Sequence, residues 1–196
     1  STGKSGGPGY RIPPRTYQTD ANSNRFMAVG GVNYSYDDKG NTIAAGADQY
    51  GYDAFNRLKT VVKDGLVTNY VINAKDQRVS KTVGTTITRF TYVGQNQLLS
   101  ENSGGANTNY LWFGSELVGI VRSNQVSYIH NDHLGRPEIA TNAAKAVVWR
   151  ANNEAFGRTV PLDAIGGLNL GFPGQYYDAE SGLWYNGFRT YDSNTG

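Results

Sequence analysis

Both histidines of the 196-residue chain fall within four positions, His130-Asn131-Asp132-His133. Two imidazoles and a carboxylate are a donor set for a zinc-type metal site. On an extended strand, however, His130 and Asp132 share a face and His133 points away. The set converges only if the chain turns at Asn131. The expectation is a turn with core packing, His130 taking the place of an aromatic, and no bound metal or cofactor. Asp178 and Glu180 form a second pair, two apart and therefore on one strand face. Paired carboxylates can do acid–base chemistry, but the order Asp-Ala-Glu-Ser-Gly suits a capped turn better. A serine hydrolase needs Ser, His and Asp to converge. No Gly-x-Ser-x-Gly elbow occurs, and Gly114-Ser115 falls where a turn is expected. Lys4 beside Gly6 and Gly7 lacks the residue order of a phosphate-binding loop. Aromatic rings can stack on sugars, yet tyrosines two apart are expected to form an interior ladder.

The elements that would position these residues follow from a repeat. An aromatic-x-aromatic triplet, usually followed by Asp or Asn, recurs as Tyr34-Ser-Tyr36-Asp37, Tyr50-Gly-Tyr52-Asp53, Tyr70-Val-Ile72-Asn73, Phe90-Thr-Tyr92, Tyr110-Leu-Trp112 and Tyr128-Ile-His130-Asn131. The first residues are separated by 16, 20, 20, 20 and 18 positions. Tyr17-Gln-Thr19-Asp20 is a degraded earlier copy and Trp149-Arg-Ala151-Asn152 a later one. A second element follows at a nearly constant offset: Asn24-Arg25-Phe26, Asn56-Arg57-Leu58, Gln77-Arg78-Val79 and Asn96-Gln97-Leu98. Residues two apart lie on one face of a strand, so each aromatic pair points the same way. The Asp or Asn that follows can bond backbone N–H groups in a turn. Each repeat is then a hairpin of two short strands and two turns. One hairpin is marginal alone; stacked edge to edge, successive hairpins make an antiparallel sheet whose twist makes it spiral. Asn142-Ala143-Ala144-Lys145-Ala146 has helical composition but sits at a hairpin turn. The predicted fold is all-β, a strongly curved sheet over residues 30–160 with the triplet aromatics on its concave, buried side.

Composition agrees. Tyrosine (14 residues) and glycine (25) are abundant, and charged residues are only 17%. Tyrosine suits a half-buried pleated surface and glycine supplies turns. A net charge of +2, with scattered basic residues, gives no handle on nucleic acid or an anionic membrane. The absence of cysteine excludes disulfides, thiolate metal sites and cysteine nucleophiles. No segment approaches the roughly 18 apolar residues of a membrane span. Residues 1–16 read as an irregular amino-terminal segment, residues 17–160 as the hairpin array, and both ends read as cuts in a longer protein.

The repeats resemble the Rhs/YD-repeat family over Tyr17 to Gly196. More specific stretches strengthen the resemblance: Tyr128-Ile-His130-Asn131-Asp132-His133-Leu-Gly135-Arg136-Pro137, Phe172-Pro-Gly174-Gln-Tyr176-Tyr177-Asp178, and the closing Arg189-Thr-Tyr191-Asp192. The resemblance implies a hollow β-shell that encapsulates and delivers a carboxy-terminal toxin. Its partners would be the remainder of the shell and that toxin, in a secreted or cell-surface bacterial protein. Residues 161–196 would be the start of the shell plug. The family's self-cleaving aspartates would lie beyond Gly196, with Arg189 a residue near that site, so the chain itself is expected not to be an enzyme. Ser193 stands where the family usually has proline. The related C components of insecticidal toxin complexes share this toxin-holding shell, whereas teneurins use a similar shell for adhesion, and a rival reading is adhesion or glycan binding through exposed tyrosines. A third is a fragment of a self-processing aspartyl protease. Cut sheet edges imply self-association of the isolated chain.

Overall fold

A computed structural model describes residues 15–95 and 97–195; the segment before residue 15 and the Asn96 of the repeat lie outside it. Sixteen strands form one open antiparallel sheet in which every strand is hydrogen-bonded to its neighbours in sequence. The array begins with β1 (Tyr17–Thr19), β2 (Phe26–Val29), β3 (Val32–Tyr36), β4 (Thr42–Ala45), β5 (Asp48–Tyr52) and β6 (Leu58–Lys63). It continues with β7 (Leu66–Ile72), β8 (Arg78–Val83), β9 (Thr86–Val93), β10 (Gln97–Ser103) and β11 (Ala106–Phe113). It ends with β12 (Glu116–Arg122), β13 (Gln125–Asn131), β14 (Pro137–Thr141), β15 (Val147–Asn153) and β16 (Arg158–Asp163). A second, three-stranded sheet follows: β17 (Tyr176–Asp178), β18 (Leu183–Asn186) and β19 (Arg189–Tyr191). The array thus ends at Asp163, its last strand crossing position 160.

The turn after each triplet has one construction. In the loop from Asp132 to Arg136, Asp132 Oδ1 accepts the N–H groups of Leu134 (2.9 Å) and Arg136 (3.0 Å), while Arg136 Nε donates to Oδ2 (2.7 Å). The loops at Asp37, Asp53 and Asn73 repeat the backbone pattern, with Asn41, Arg57 and Gln77 in the place of Arg136. The fourth loop residue has positive φ in each, Gly40 (90°), Asn56 (62°), Asp76 (60°) and Gly135 (76°), where only Gly, Asn or Asp sits comfortably. The fifth residue also reaches the next loop: Arg57 donates to Asn73 O, Gln77 to Gly94 O and Arg136 to Glu154 O. In four repeats the second triplet residue reaches back along the strands to the preceding hairpin. Tyr36 donates to Phe26 O, Tyr92 to Arg78 O, Trp112 to Leu98 O and Asn131 to Leu117 O. Consecutive hairpins are therefore tied by side chains as well as by the ladder.

The first triplet residues make inward rows with the returning strand. Tyr50 pairs with Val61, Tyr70 with Lys81, Phe90 with Glu101, Tyr110 with Ile120, and Ala140 with both Ile129 and Trp149. Tyr70, Phe90, Tyr110 and Trp149 are buried, and Tyr34, Tyr50, Tyr52, Tyr92 and Trp112 half-buried. The copy at Tyr128 departs from the expected register. Ser127 and Ile129 are buried, Asn131 points inward, and Tyr128 is 48% exposed with His130 outside beside it. The cause is a loop one residue shorter: β11 and β12 are joined by residues 114 and 115, whereas β9 and β10 are joined by residues 94–96. In true register the spacing is 19, from Tyr110 to Ile129, and Asp132 rather than Asn131 is the turn residue. A one-residue shift exchanges the two faces of a strand.

The curl of the sheet follows from its contacts with the second one. At about 4.8 Å per strand, β1 and β15 would lie roughly 65 Å apart in a flat sheet. Yet the segment from 164 to 195 touches both ends. Leu168, Leu170 and Tyr176 share a core with Trp149, and Arg15 just before β1 donates to Asn194 O (2.6 Å). Between them Lys63 of β6 donates to Ser181 O (3.1 Å). Only a sheet curled around this segment makes all three contacts, with the inward rows on its concave face.

Candidate functional site

Three inward positions break the apolar pattern of the repeat. Arg78 stands where other repeats have Phe26, Leu58, Leu98, Leu117 or Pro137. Lys81 and Glu101 stand in the row of Val61, Ile120 and Ala140. All three are buried, Arg78 only 2% exposed. A buried charge is tolerable only when paired and hydrogen-bonded, and the partners come from the second sheet.

Asp178, at the end of β17 and 3% exposed, receives the Arg78 guanidinium on Oδ2 and the Lys81 ammonium on Oδ1 (3.0 Å). Lys81 also bonds both oxygens of Glu180, each at 3.0 Å. Two cations meet two anions, so the cluster is neutral. Rings surround Arg78, with centroids 5.0 Å away for Tyr70, 5.1 Å for Phe90, 5.1 Å for Tyr176 and 4.3 Å for Tyr185. Desolvation opposes the Arg78 charge, but the adjacent Asp178 carboxylate outweighs it and holds the guanidinium firmly protonated. Beside the cluster, Glu101 accepts hydrogen bonds from the phenols of Tyr110 (2.8 Å) and Tyr176 (2.7 Å). Burial first, then the Glu101 charge, push both phenols well above their ordinary range. Tyr185 Oη accepts the Arg78 backbone N–H (3.0 Å) and donates to Asp76 O (3.1 Å).

This arrangement clamps; every carboxylate in it is engaged by a cation or a phenol. Asp178 and Glu180 therefore converge as a pair, in a role that spacing alone did not reveal. Their segment is also the expected turn, since Asp178 O accepts the N–H groups of Ser181 (3.2 Å) and Gly182 (2.8 Å). Tyr177 packs on Trp184 (4.9 Å between centroids), and Gly174, at φ 86°, sits in the turn before β17. The other candidates are not brought together. His130 Nε2 lies 3.0 Å from Thr141 Oγ1 on the outer face, His133 is exposed on its loop, and Asp132 is held by Arg136. Pro137 is fully buried in the row of Leu117. Arg189 is exposed on β19, opposite Asn186. The tyrosines offer no outward ladder for a sugar, since those of β3, β5, β7 and β11 face inward.

In the sequence Arg78 stood out only as part of the repeat's second element and Tyr176 only within a family-specific stretch, and Lys81 and Glu101 did not stand out at all. A signal existed: Gln77, not Arg78, is the counterpart of Arg57, because both sit four residues after the turn residue. In that alignment Arg78 falls in an apolar inward row, with Lys81 and Glu101 in another.

A family model described as the teneurin YD-shell matches residues 18–196. The tRNA nuclease WapA of Bacillus subtilis is 27% identical over 184 residues, covering 88% of this chain and 8% of that protein. The double-stranded DNA deaminase toxin A of Burkholderia cenocepacia is 26% identical over 226 residues, covering 88% of this chain and 15% of its own length. Among solved structures, the Tc holotoxin pore of Photorhabdus luminescens superposes with a TM-score of 0.64 at 13% identity, over 93% of this chain and 11% of that one. The chain thus spans a small part of each of these proteins.

Proposed function

This chain belongs to the teneurin YD-shell family, and on that premise we propose that it is a wall segment of an Rhs-type β-shell that encloses and delivers a carboxy-terminal toxin. The observation that carries the reading is the inner face. A curled sheet places buried charges on its concave side and uses them to hold a second sheet inside, from Lys81 and Arg78 to Asp178. Residues 164–196 are then the beginning of the plug that closes the shell. Catalysis belongs to other regions: the named relatives are a nuclease and a deaminase toxin of which the shared segment is a small part. The partners are the rest of the shell and the enclosed toxin, in a secreted or cell-surface bacterial protein. Among the described residues β1 and β16 are the end strands of the large sheet, and in isolation such edges favour self-association.

Limited proteolysis of the full-length protein tests this. The carboxy-terminal region is expected to resist protease in the native protein and to be digested at least about tenfold faster when Arg78 and Lys81 are both changed to Ala. Equal digestion rates in the two proteins would count against encapsulation.

A further inference from the structure

A second arginine lies at the junction of the two sheets with no acid paired to it among the described residues. Arg158 opens β16 and holds its fork against two backbone carbonyls, Leu170 O through Nη1 and Leu168 O through Nη2, both at 2.7 Å. Its guanidinium carbon sits 5.5 Å from the ring centre of Trp149 and 5.0 Å from that of Trp184. Among the described residues no carboxylate lies within ion-pair distance of it. The contrast with its neighbours is sharp: Arg57 has Asp53 and Asp76, Arg78 has Asp178, and Arg136 has Asp132. Burial lowers the Arg158 pKa to about 10, with only Tyr177 opposing weakly.

Beside Arg158 is a cavity of about 120 Å³ whose walls include Arg136, Phe156, Phe172 and Trp184. Arg136 is already neutralised by Asp132, so among the described residues that line this cavity Arg158 is the cation without a carboxylate partner. Glu154 also lines it and makes no ion pair among the described residues. We infer that this cavity binds a carboxylate carried on an apolar stem, the anion pairing with Arg158 and the stem lying between the aromatic walls. The two carbonyls take one N–H from each Nη and hold the guanidinium in place, leaving its other N–H groups in a fixed orientation for a carboxylate, and mostly apolar walls with a few convergent polar groups are what a ligand site offers. The carboxylate has two sources, a free organic acid or an acidic side chain of a polypeptide. The inference does not rest on the shell reading.

Nuclear magnetic resonance of the ¹⁵N-labelled chain provides the test. The three tryptophans give a built-in control, since Trp112 donates its indole N–H to Leu98 O (2.8 Å), away from the cavity. Sodium benzoate and N-acetylglutamate α-amide represent the two sources. Benzamide, N-acetylglutamine amide and sodium chloride at equal ionic strength are the comparisons. The expected result is a saturable shift of the Trp149 and Trp184 indole signals but not of Trp112, with half-saturation on the order of 1–10 mM. Arg158→Met should weaken binding by about tenfold or more, and Glu154→Gln should tighten it several-fold by removing the competing anion. Saturation by benzoate alone assigns the free acid, and by the glutamate derivative alone the polypeptide. Equal shifts with the amides, chloride shifts of the same size (an adventitious ion only), or no shift at all would each overturn the site. If Arg158→Met fails to fold, the acid–amide comparison on the unaltered chain and the Glu154→Gln variant still decide.

Discussion

At the scale of single residues, the repeat is held by donors and acceptors more than by aromatic bulk. At the second triplet position Tyr36, Tyr92, Trp112 and Asn131 share little except a donor that reaches a carbonyl of the preceding hairpin, a bond that Ile72 at the same position has no group to make. The turn residue is acceptor-rich for the same kind of reason, and its partner four residues on is chosen to match. Asp132 takes Arg136, whereas Asn73 takes Gln77, whose Oε1 accepts from Asn73 Nδ2 (3.1 Å). Asp132→Ala should therefore lower stability by about 2 kcal/mol, through loss of two backbone bonds and the Arg136 bond. Asp132→Asn with Arg136→Gln, which copies the Asn73 loop, should recover most of that loss in a urea melt. Asp132→Asn alone sets an amide donor against a guanidinium and should recover less. The acid limb carries the same signature. Desolvation raises the Asp53 and Asp132 pKa values, but backbone N–H groups and the neighbouring arginines outweigh it, and the carboxyl of Asp37 is lowered chiefly by Asn41. A folded-state pKa below the unfolded value gives stability that is complete above about pH 4–5 and is lost as pH falls further. Thermal melts should accordingly be flat from neutral pH to about 5 and then decline. The decline should be less steep in the variant that combines Asp132→Asn with Arg136→Gln, which has one titrating turn carboxylate fewer.

Register is the quantity that matters at the scale of the element. The hairpins, their period and the all-antiparallel pairing were legible in the sequence, because aromatic-x-aromatic followed by Asp or Asn encodes a strand face and a turn together. The inward face of β13 was not, because Tyr128 and His130 imitate the triplet while Ile129 and Asn131 perform its work. Neither spacing nor residue type distinguishes these until the shorter loop at Gly114-Ser115 is counted. The same slip concealed Arg78 behind its likeness to Arg57. Loops that already differ in length by one residue should tolerate more. A glycine inserted between Gly114 and Ser115 is expected to lower stability by less than about 1 kcal/mol. A glycine inserted between Tyr128 and Ile129 moves the rest of β13 to the wrong face and should abolish cooperative melting. Circular dichroism against temperature separates the two, and comparable loss in both would mean that the loop at Gly114-Ser115 does not absorb a one-residue change.

On the scale of the whole molecule, the concave face and the second sheet are one polar assembly. Arg78→Met leaves a buried carboxylate with half its compensation, and the expected loss is about 3–5 kcal/mol. Removing Asp178 from that variant, as Arg78→Met with Asp178→Leu, should regain much of it, since the remaining Lys81–Glu180 pair is again neutral. A denaturant double-mutant cycle measures this, and additive losses would show that the two residues do not act together. At high pH the buried phenols take over. Tyr70, Tyr110 and Tyr176 are raised mainly by burial, so stability is complete below the unfolded value of about pH 10 and falls as pH rises beyond it. Tyrosinate absorbance from these rings should appear only together with unfolding. The strand order has a further consequence, for the history of the chain rather than its energy. Each strand of the large sheet waits only for the one made just before it, so hairpins can assemble one after another on a chain still emerging from a ribosome or a narrow export channel. The Arg78–Asp178 contact, by contrast, spans 100 residues and cannot form until the last hairpin is complete. Within this chain the hairpins around Arg78 can therefore form before Asp178 has been made, and the contact between the two sheets closes afterwards.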